Sequence, residues 1–320
     1  MDPRAIVTSL LVALASHTPG CAQGLAVDAG FAEEALRLLE GPAGPASPRL
    51  LASPALAHLL RHARHWDYDV PKASPEALAS HLLKKVGSQP DGVATLRASL
   101  THFRQVLQAD DGWTRDALDC LPAGFRFQGS ALYLTCGYDI GVATPGCASL
   151  NGAHPHFKGH PRELTYYAIH ELHHVGYMAH HPPLRLEDLK TCGDLLRFVE
   201  YSTHMEGMAV WAAHGRRERD GALAEDADYV ALGDAATLAR LARAFRAIHD
   251  DLSARKRQVL TPGDWALLDQ LAGKERLWYR VGAMMARDIE RSRGRGALAS
   301  LVREGPAEFF KAHRALAERP

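Results

Sequence analysis

Apolar positions recur at helical spacing over most of the chain. Ala32 to Leu39 (AEEALRLL) is amphipathic and predicts a helix, and Gly41 to Pro48 (GPAGPASP) breaks it. Pro75 opens a second helix that carries Leu78, Leu82 and Leu83, with Ser74 placed as N-cap and Glu76 in the first turn. The stretch from about Val27 to Leu118 reads as helices separated by Pro/Gly/Ser loops. The texture changes near Gly124. Phe125 to Gly137 (FRFQGSALYLTCG) has β-rich, partly alternating character, and Ile140 to Asn151 is rich in glycine and small residues. Two or three strands are expected here, the one β-rich stretch of the chain. From Pro161 onward the pattern is helical again and closes with Arg276 to Arg291, Leu298 to Arg303 and Ala307 to Leu316. The expected class is mainly α with a small β-sheet (α+β). A core over 124–215 is flanked by helical regions over 25–123 and 216–320. There is no internal repeat, heptad pattern or low-complexity tract.

Composition narrows the function classes. The 320 residues are enough for a substantial core, and 47% apolar with 23% charged residues is a globular balance. Lys+Arg and Asp+Glu number 37 each, so the basic excess usual in a nucleic-acid binder is missing. Ala5 to Ala15 (AIVTSLLVALA) is an apolar run of signal-peptide length, too short to span a bilayer. Gly20 and Ala22 suit a cleavage site, although Met-Asp-Pro-Arg is barely positive and Thr18-Pro19 before Cys21 does not suit a lipoprotein signal. Two readings stand: residues 1–22 as an export signal, giving a periplasmic or secreted protein, or a buried first helix in a cytoplasmic one. Cys136 and Cys147 could bridge a hairpin in an oxidising compartment; otherwise Cys120, Cys136, Cys147 and Cys192 are buried thiols.

The candidate chemistry lies in His170-Glu171-Leu172-His173-His174. On a helix, residues i and i+4 share a face, so His170 and His174 can reach one tetrahedral metal, with zinc as the expected ion. Glu171 is rotated by about 100° from His170, which keeps it off the metal and free to act as general base. The segment reads as helical. Pro161 suits the start, Glu163 the first turn, and no proline intervenes before Pro182. Leu164, Ala168, Leu172 and Val175 form the core stripe; Tyr167, His170, His174 and Tyr177 form a stripe expected to line a cleft. With 18 histidines in the chain, the five-residue pattern alone is a modest signal.

A catalytic zinc needs a third protein ligand. His180 lies six residues past His174, a metzincin spacing, but position 177 is Tyr where that turn needs glycine, and the glycine is one place early at Gly176. Glu206 is the expected ligand instead. It sits among Met205, Gly207, Met208, Ala209 and Val210, an apolar setting in which a carboxylate requires a partner charge. Gly207 and Ala209 lack bulk and could let this helix pack closely on the His170–His174 helix. His180, His204 and Glu200 remain the alternatives. A di-iron site would need a second E-x-x-H, and Glu200 to His204 has one residue too many.

His-Glu-Leu-His-His-Val-Gly-Tyr followed by Glu206-Gly-Met-Ala resembles a set of uncharacterised bacterial families of zinc-dependent peptidases with a gluzincin-type core. Tyr279-Arg-Val-Gly282 and Gly305-Pro-Ala-Glu-Phe-Phe are weaker points of similarity. The resemblance implies a zincin-like metallopeptidase core in which His170, His174 and Glu206 bind Zn2+ and Glu171 is catalytic. For the donor that stabilises the oxyanion, Tyr279 is the first choice, ahead of Tyr201, His204 and Arg280. Ala131 to Cys136 could be the edge strand that pairs with an extended substrate. The expected function is a zinc hydrolase acting on a peptide or small amide, with no nucleic-acid partner and no stable membrane span. Alternatives are an amidohydrolase or esterase on a small molecule, or a non-catalytic zincin-fold binding protein.

Overall fold

The computed structural model describes residues 24–42 and 44–317. The apolar run at Ala5–Ala15, Cys21 and the proposed signal at 1–22 lie outside them. The chain enters through a three-residue strand, β1 (Ala26–Asp28), that the sequence reading missed, because three residues show no alternation. Helices α1 (Gly30–Glu40), α2 (Pro54–His65), α3 (Pro75–Ser88) and α4 (Gly92–His102) follow. The Ser74 hydroxyl accepts the Ala77 amide at 3.2 Å, the cap expected at α3.

The β-rich stretch forms β2 (Ala131–Thr135), β3 (Gly141–Thr144) and β4 (Cys147–Asn151). The sheet order is β1-β2-β4-β3; β1, β2 and β4 are parallel, and β3 is antiparallel to β4. This corrects two expectations. Ala131–Thr135 is an internal strand, and the open edge on the far side belongs to β3. Ala131 pairs with Cys147 and Thr135 with Asn151, so Cys136 and Cys147 sit at opposite ends of the paired strands, too far apart for a disulfide. All four cysteines among the described residues are free.

Beyond the sheet the chain is helical: α5 (Glu163–Met178), α6 (Cys192–Arg219), α7 (Ala227–Gly233), α8 (Ala235–Ala254), α9 (Leu277–Arg293), α10 (Arg295–Glu304) and α11 (Pro306–Ala317). With 65% of the described residues in helices and one small mixed sheet, the protein is α+β. The three last helices match the expected closing segments to within a turn. No helix among the described residues is long and apolar enough to cross a membrane.

One apolar cluster runs from Leu25 to Ala312, and α5 lies at its centre, packed on β3 and β4 on one side and α6 on the other. The 28-residue α6 is fixed at its start by a capping box between Thr191 and Asp194. It crosses α9 in backbone contact. A Cβ on Gly207 would lie 2.2 Å from the Gly282 carbonyl carbon, and one on Gly282 2.2 Å from the Thr203 carbonyl oxygen. The small residue at 207 therefore admits α9, not α5 as expected from sequence. Gly176 also serves packing: its face receives Leu121, whose Cδ1 would be 2.3 Å from an added Cβ.

Candidate metal centre

The site is assembled by helix α5, the middle of α6, strand β3 and the start of α9. Only Tyr167 and His170 of α5 escape full burial. Leu164, Ala168, Leu172 and Val175 are in the core as expected, but so is Tyr177, whose hydroxyl is hydrogen-bonded to His204 Nδ1 at 3.1 Å. His173 points into the core and bonds the Cys120 carbonyl at 3.3 Å.

One helical turn brings His170 Nε2 within 3.0 Å of His174 Nε2. Glu206 Oε2, reaching across from α6, lies 3.3 Å from the first and 3.1 Å from the second. The three ligand atoms fall within 4.8 Å of one another, and Glu206 Oε2 is buried without a well-formed hydrogen bond. Two imidazole nitrogens and a carboxylate oxygen, converging with no atom of their own to bind, fit the donor chemistry of a catalytic zinc.

The electrostatics follow from that crowding. Burial alone would raise the Glu206 carboxyl. His174 beside it, with the His170 imidazole also close, outweighs burial and holds it well below the usual carboxylate range. Burial opposes a charge on His174, yet Glu206 raises its pKa above the ordinary value. His170 goes the other way: burial and the charge of His174 lower it, with Arg276 adding to the effect. Glu171 is 5% exposed, and burial pushes its carboxyl up to about 8; Glu206 and Asp139 add to the rise and His174 opposes it.

Glu171 lies against β3. A Cβ on Gly141 would lie 2.5 Å from Glu171 Oε1, so the glycine leaves the carboxylate room to sit where it does. His170, Glu171, His174 and Glu206 share a cleft of about 430 Å3 with Tyr279 and Tyr201. The Tyr201 hydroxyl donates to the His181 carbonyl at 3.2 Å. The Tyr279 ring lies under the Arg276 guanidinium, 3.6 Å from its centre, and burial pushes the phenol well above its ordinary range.

The other candidates are outside the cleft lining. His180 follows the end of α5 and packs near Phe125. His204 stacks on Phe309 at 4.3 Å, Glu200 pairs with His249 at 3.0 Å, and Arg280 bonds Asp228 at 2.8 Å. Sequence reasoning missed Gly141, Asp139, Tyr68 and Arg276, all in the cleft lining. The Tyr68 hydroxyl donates to Asp139. No spacing rule links these residues to the motif, because separate segments far apart in sequence deliver them.

A second His/acid group, His156, Glu163 and Asp226, also lies within ligand distance. Arg217 occupies it, donating to both Glu163 oxygens at 2.7 and 2.6 Å and stacked on Tyr166 and Tyr229. This is an ion-pair network that docks α6 on α5.

No curated protein matches the chain significantly, and no solved structure does. Residues 96–319, the greater part of the chain with His170, Glu171, His174 and Glu206 among them, match the family whose description reads "Putative zinc dependent peptidase (DUF5700)", and the chain belongs to that family.

Proposed function

We propose that the protein is a zinc-dependent hydrolase of gluzincin type, acting on a peptide, in which His170, His174 and Glu206 hold the ion and Glu171 is the general base. The observation that carries this reading is the convergence of three ligand atoms within 4.8 Å beside the Glu171 carboxylate in one cleft. Zinc in such a site supplies Lewis-acid polarisation of a carbonyl and acidifies water.

The chain's own residues do the rest. Glu171, close to the ligands and buried, takes a proton from the attacking water and delivers it to the leaving amine. Its place beside the ligand set in the same cleft lets it hold that proton between the two steps. Tyr279 stays protonated at neutral pH and can donate to the oxyanion. The outer side of β3, with Val142 and Ala143 in the cleft wall, offers an open strand edge to an extended substrate. On this reading 124–215 forms a zincin-like core, and the flanking helical regions close the cleft around it. The volume, about 430 Å3, favours a short peptide and also leaves room for the second reading, a small amide.

The test is hydrolysis of a peptide library by the zinc-loaded protein. Wild type should cleave, while Glu171→Gln keeps its zinc and loses activity by about 100-fold or more. Equal activity in the two would remove Glu171 from the chemistry.

A further inference from the structure

Arg276 has a backbone that its residue type does not favour. Three described residues other than glycine have positive φ: Asp67, Asp91 and Arg276. A short aspartate tolerates the left-handed region through local hydrogen bonds; an arginine gains no such help. Arg276 adopts φ 46° and ψ 48° just before α9, with its guanidinium 3.6 Å above the centre of the Tyr279 ring. Strain of this kind persists where the surroundings over-determine it, and it concentrates at ligand clamps.

The side chain is fixed at one end and open at the other. Arg276 Nε donates to both oxygens of buried Asp228, at 2.8 and 3.1 Å. No acceptor among the described residues meets its Nη atoms. Asp228 also receives Arg280 Nε at 2.8 Å, so two guanidinium groups share one carboxylate and a positive charge is left over. The other acid on that wall, Asp226, is engaged by Tyr167 at 3.4 Å and Arg217 at 3.5 Å. Arg276 lines the same cleft as His170, His174 and Glu206.

We infer that Arg276 is a specificity residue that anchors a carboxylate of the substrate. Ring stacking and the tether at Nε hold the guanidinium plane, so the two Nη groups form a pre-organised fork. A carboxylate matches that fork with two parallel charge-assisted hydrogen bonds, whereas a neutral amide offers one acceptor. The acids already in the cleft, Glu171, Glu206 and Asp139, disfavour a doubly charged phosphate. Two sources have this chemistry: the free C-terminus of a short peptide, and an Asp or Glu side chain close to the scissile bond. The inference rests on the hydrolase reading for the word substrate, but the fork can be tested without turnover.

Three probes separate the possibilities: N-acetyl-Ala-Leu-Phe as the free acid, the same peptide as the C-terminal amide, and N-acetyl-Ala-Leu-Glu-amide. Binding to the zinc-loaded Glu171→Gln protein is measured by calorimetry, and cleavage by zinc-loaded wild type is followed by mass spectrometry. One of the two carboxylate probes should bind about tenfold or more tighter than the neutral amide. The same preference should appear in KM, and Arg276→Gln should erase it. A preference for the free acid identifies a C-terminal anchor; a preference for the Glu peptide identifies a side-chain anchor. Equal or undetectable binding of all three probes overturns the inference, as does a preference that survives in Arg276→Gln. If wild type cleaves none of them, the hydrolase reading is in question while the calorimetry still decides the role of Arg276. The comparison of the three probes leaves Arg276 in place, so a misfolded Arg276→Gln protein does not rescue the idea.

Discussion

Replacing Gly141 by alanine adds one methyl group to β3, next to Glu171, the proposed general base. The new carbon would lie 2.5 Å from Glu171 Oε1, 2.8 Å from Cδ and 2.9 Å from Cγ. None of these contacts is tolerable, and the softest partner is the Glu171 side chain. Restoring ordinary contact moves its carboxylate by about 1 Å, a displacement that can cost on the order of 100-fold when the group must sit in line with a reacting atom. The expected loss in kcat is therefore about 100-fold, or about 2.7 kcal/mol of barrier. The backbone at 141 is not left-handed, so alanine is compatible with the strand, and stability should change by less than about 1 kcal/mol. The proposed zinc ligands are untouched. The assay is kcat on a peptide that wild type cleaves, with zinc content and thermal unfolding measured on the same samples. A Gly141→Ala protein with full zinc and wild-type kcat would refute the claim that β3 positions Glu171 for catalysis.

Other outcomes follow from the same contacts. Gly207→Ala places a methyl group against the Gly282 backbone, which cannot rotate away, and should destabilise the fold by about 2–4 kcal/mol in denaturant titrations. Arg217→Met strands the Glu163 carboxylate in the core and should cost about 3–5 kcal/mol by the same measurement. Burial pushes His58 down to about 4 and His62 and His173 down to about 3, so these residues are neutral in the folded protein while the unfolded chain protonates near 6.5. Their contribution to stability is complete above pH 6.5 and is lost progressively as pH falls from there to the folded values of about 4 and 3, by up to about 1.4 kcal/mol per pH unit for each histidine. Unfolding titrations between pH 7 and 4 check this, and His58→Gln should reduce the slope; a flat profile would contradict it.

The meeting of His170 and His174 was legible because helix geometry forces it: residues four apart on α5 must share a face. That Glu206 meets them was legible because a carboxylate amid Met, Gly, Ala and Val needs a partner charge. The helices at 75–88 and at the C-terminus could be read from caps, breakers and apolar spacing. What failed depends on long-range placement. Gly207 signals close helix packing, but the helix it meets is α9 and not α5, and the partner of Gly176, Leu121, likewise lies far off in sequence. The open edge went to Gly141–Thr144, because β1 covers one side of β2 and β4 the other. Tyr177 fell on the polar stripe of its helix but faces α6, where His204 supplies a hydrogen-bond partner. Arg276 gave no signal, since a left-handed backbone at arginine leaves no trace in composition or spacing.

Metal content of purified variants tests the central claim most directly. Inductively coupled plasma mass spectrometry should find about one zinc per chain in wild type and in His180→Ala, the stoichiometry of a single site built from three protein ligands. Glu206→Ala should lose the ion while remaining folded. Stoichiometric zinc in Glu206→Ala, with loss in His180→Ala, would contradict the account.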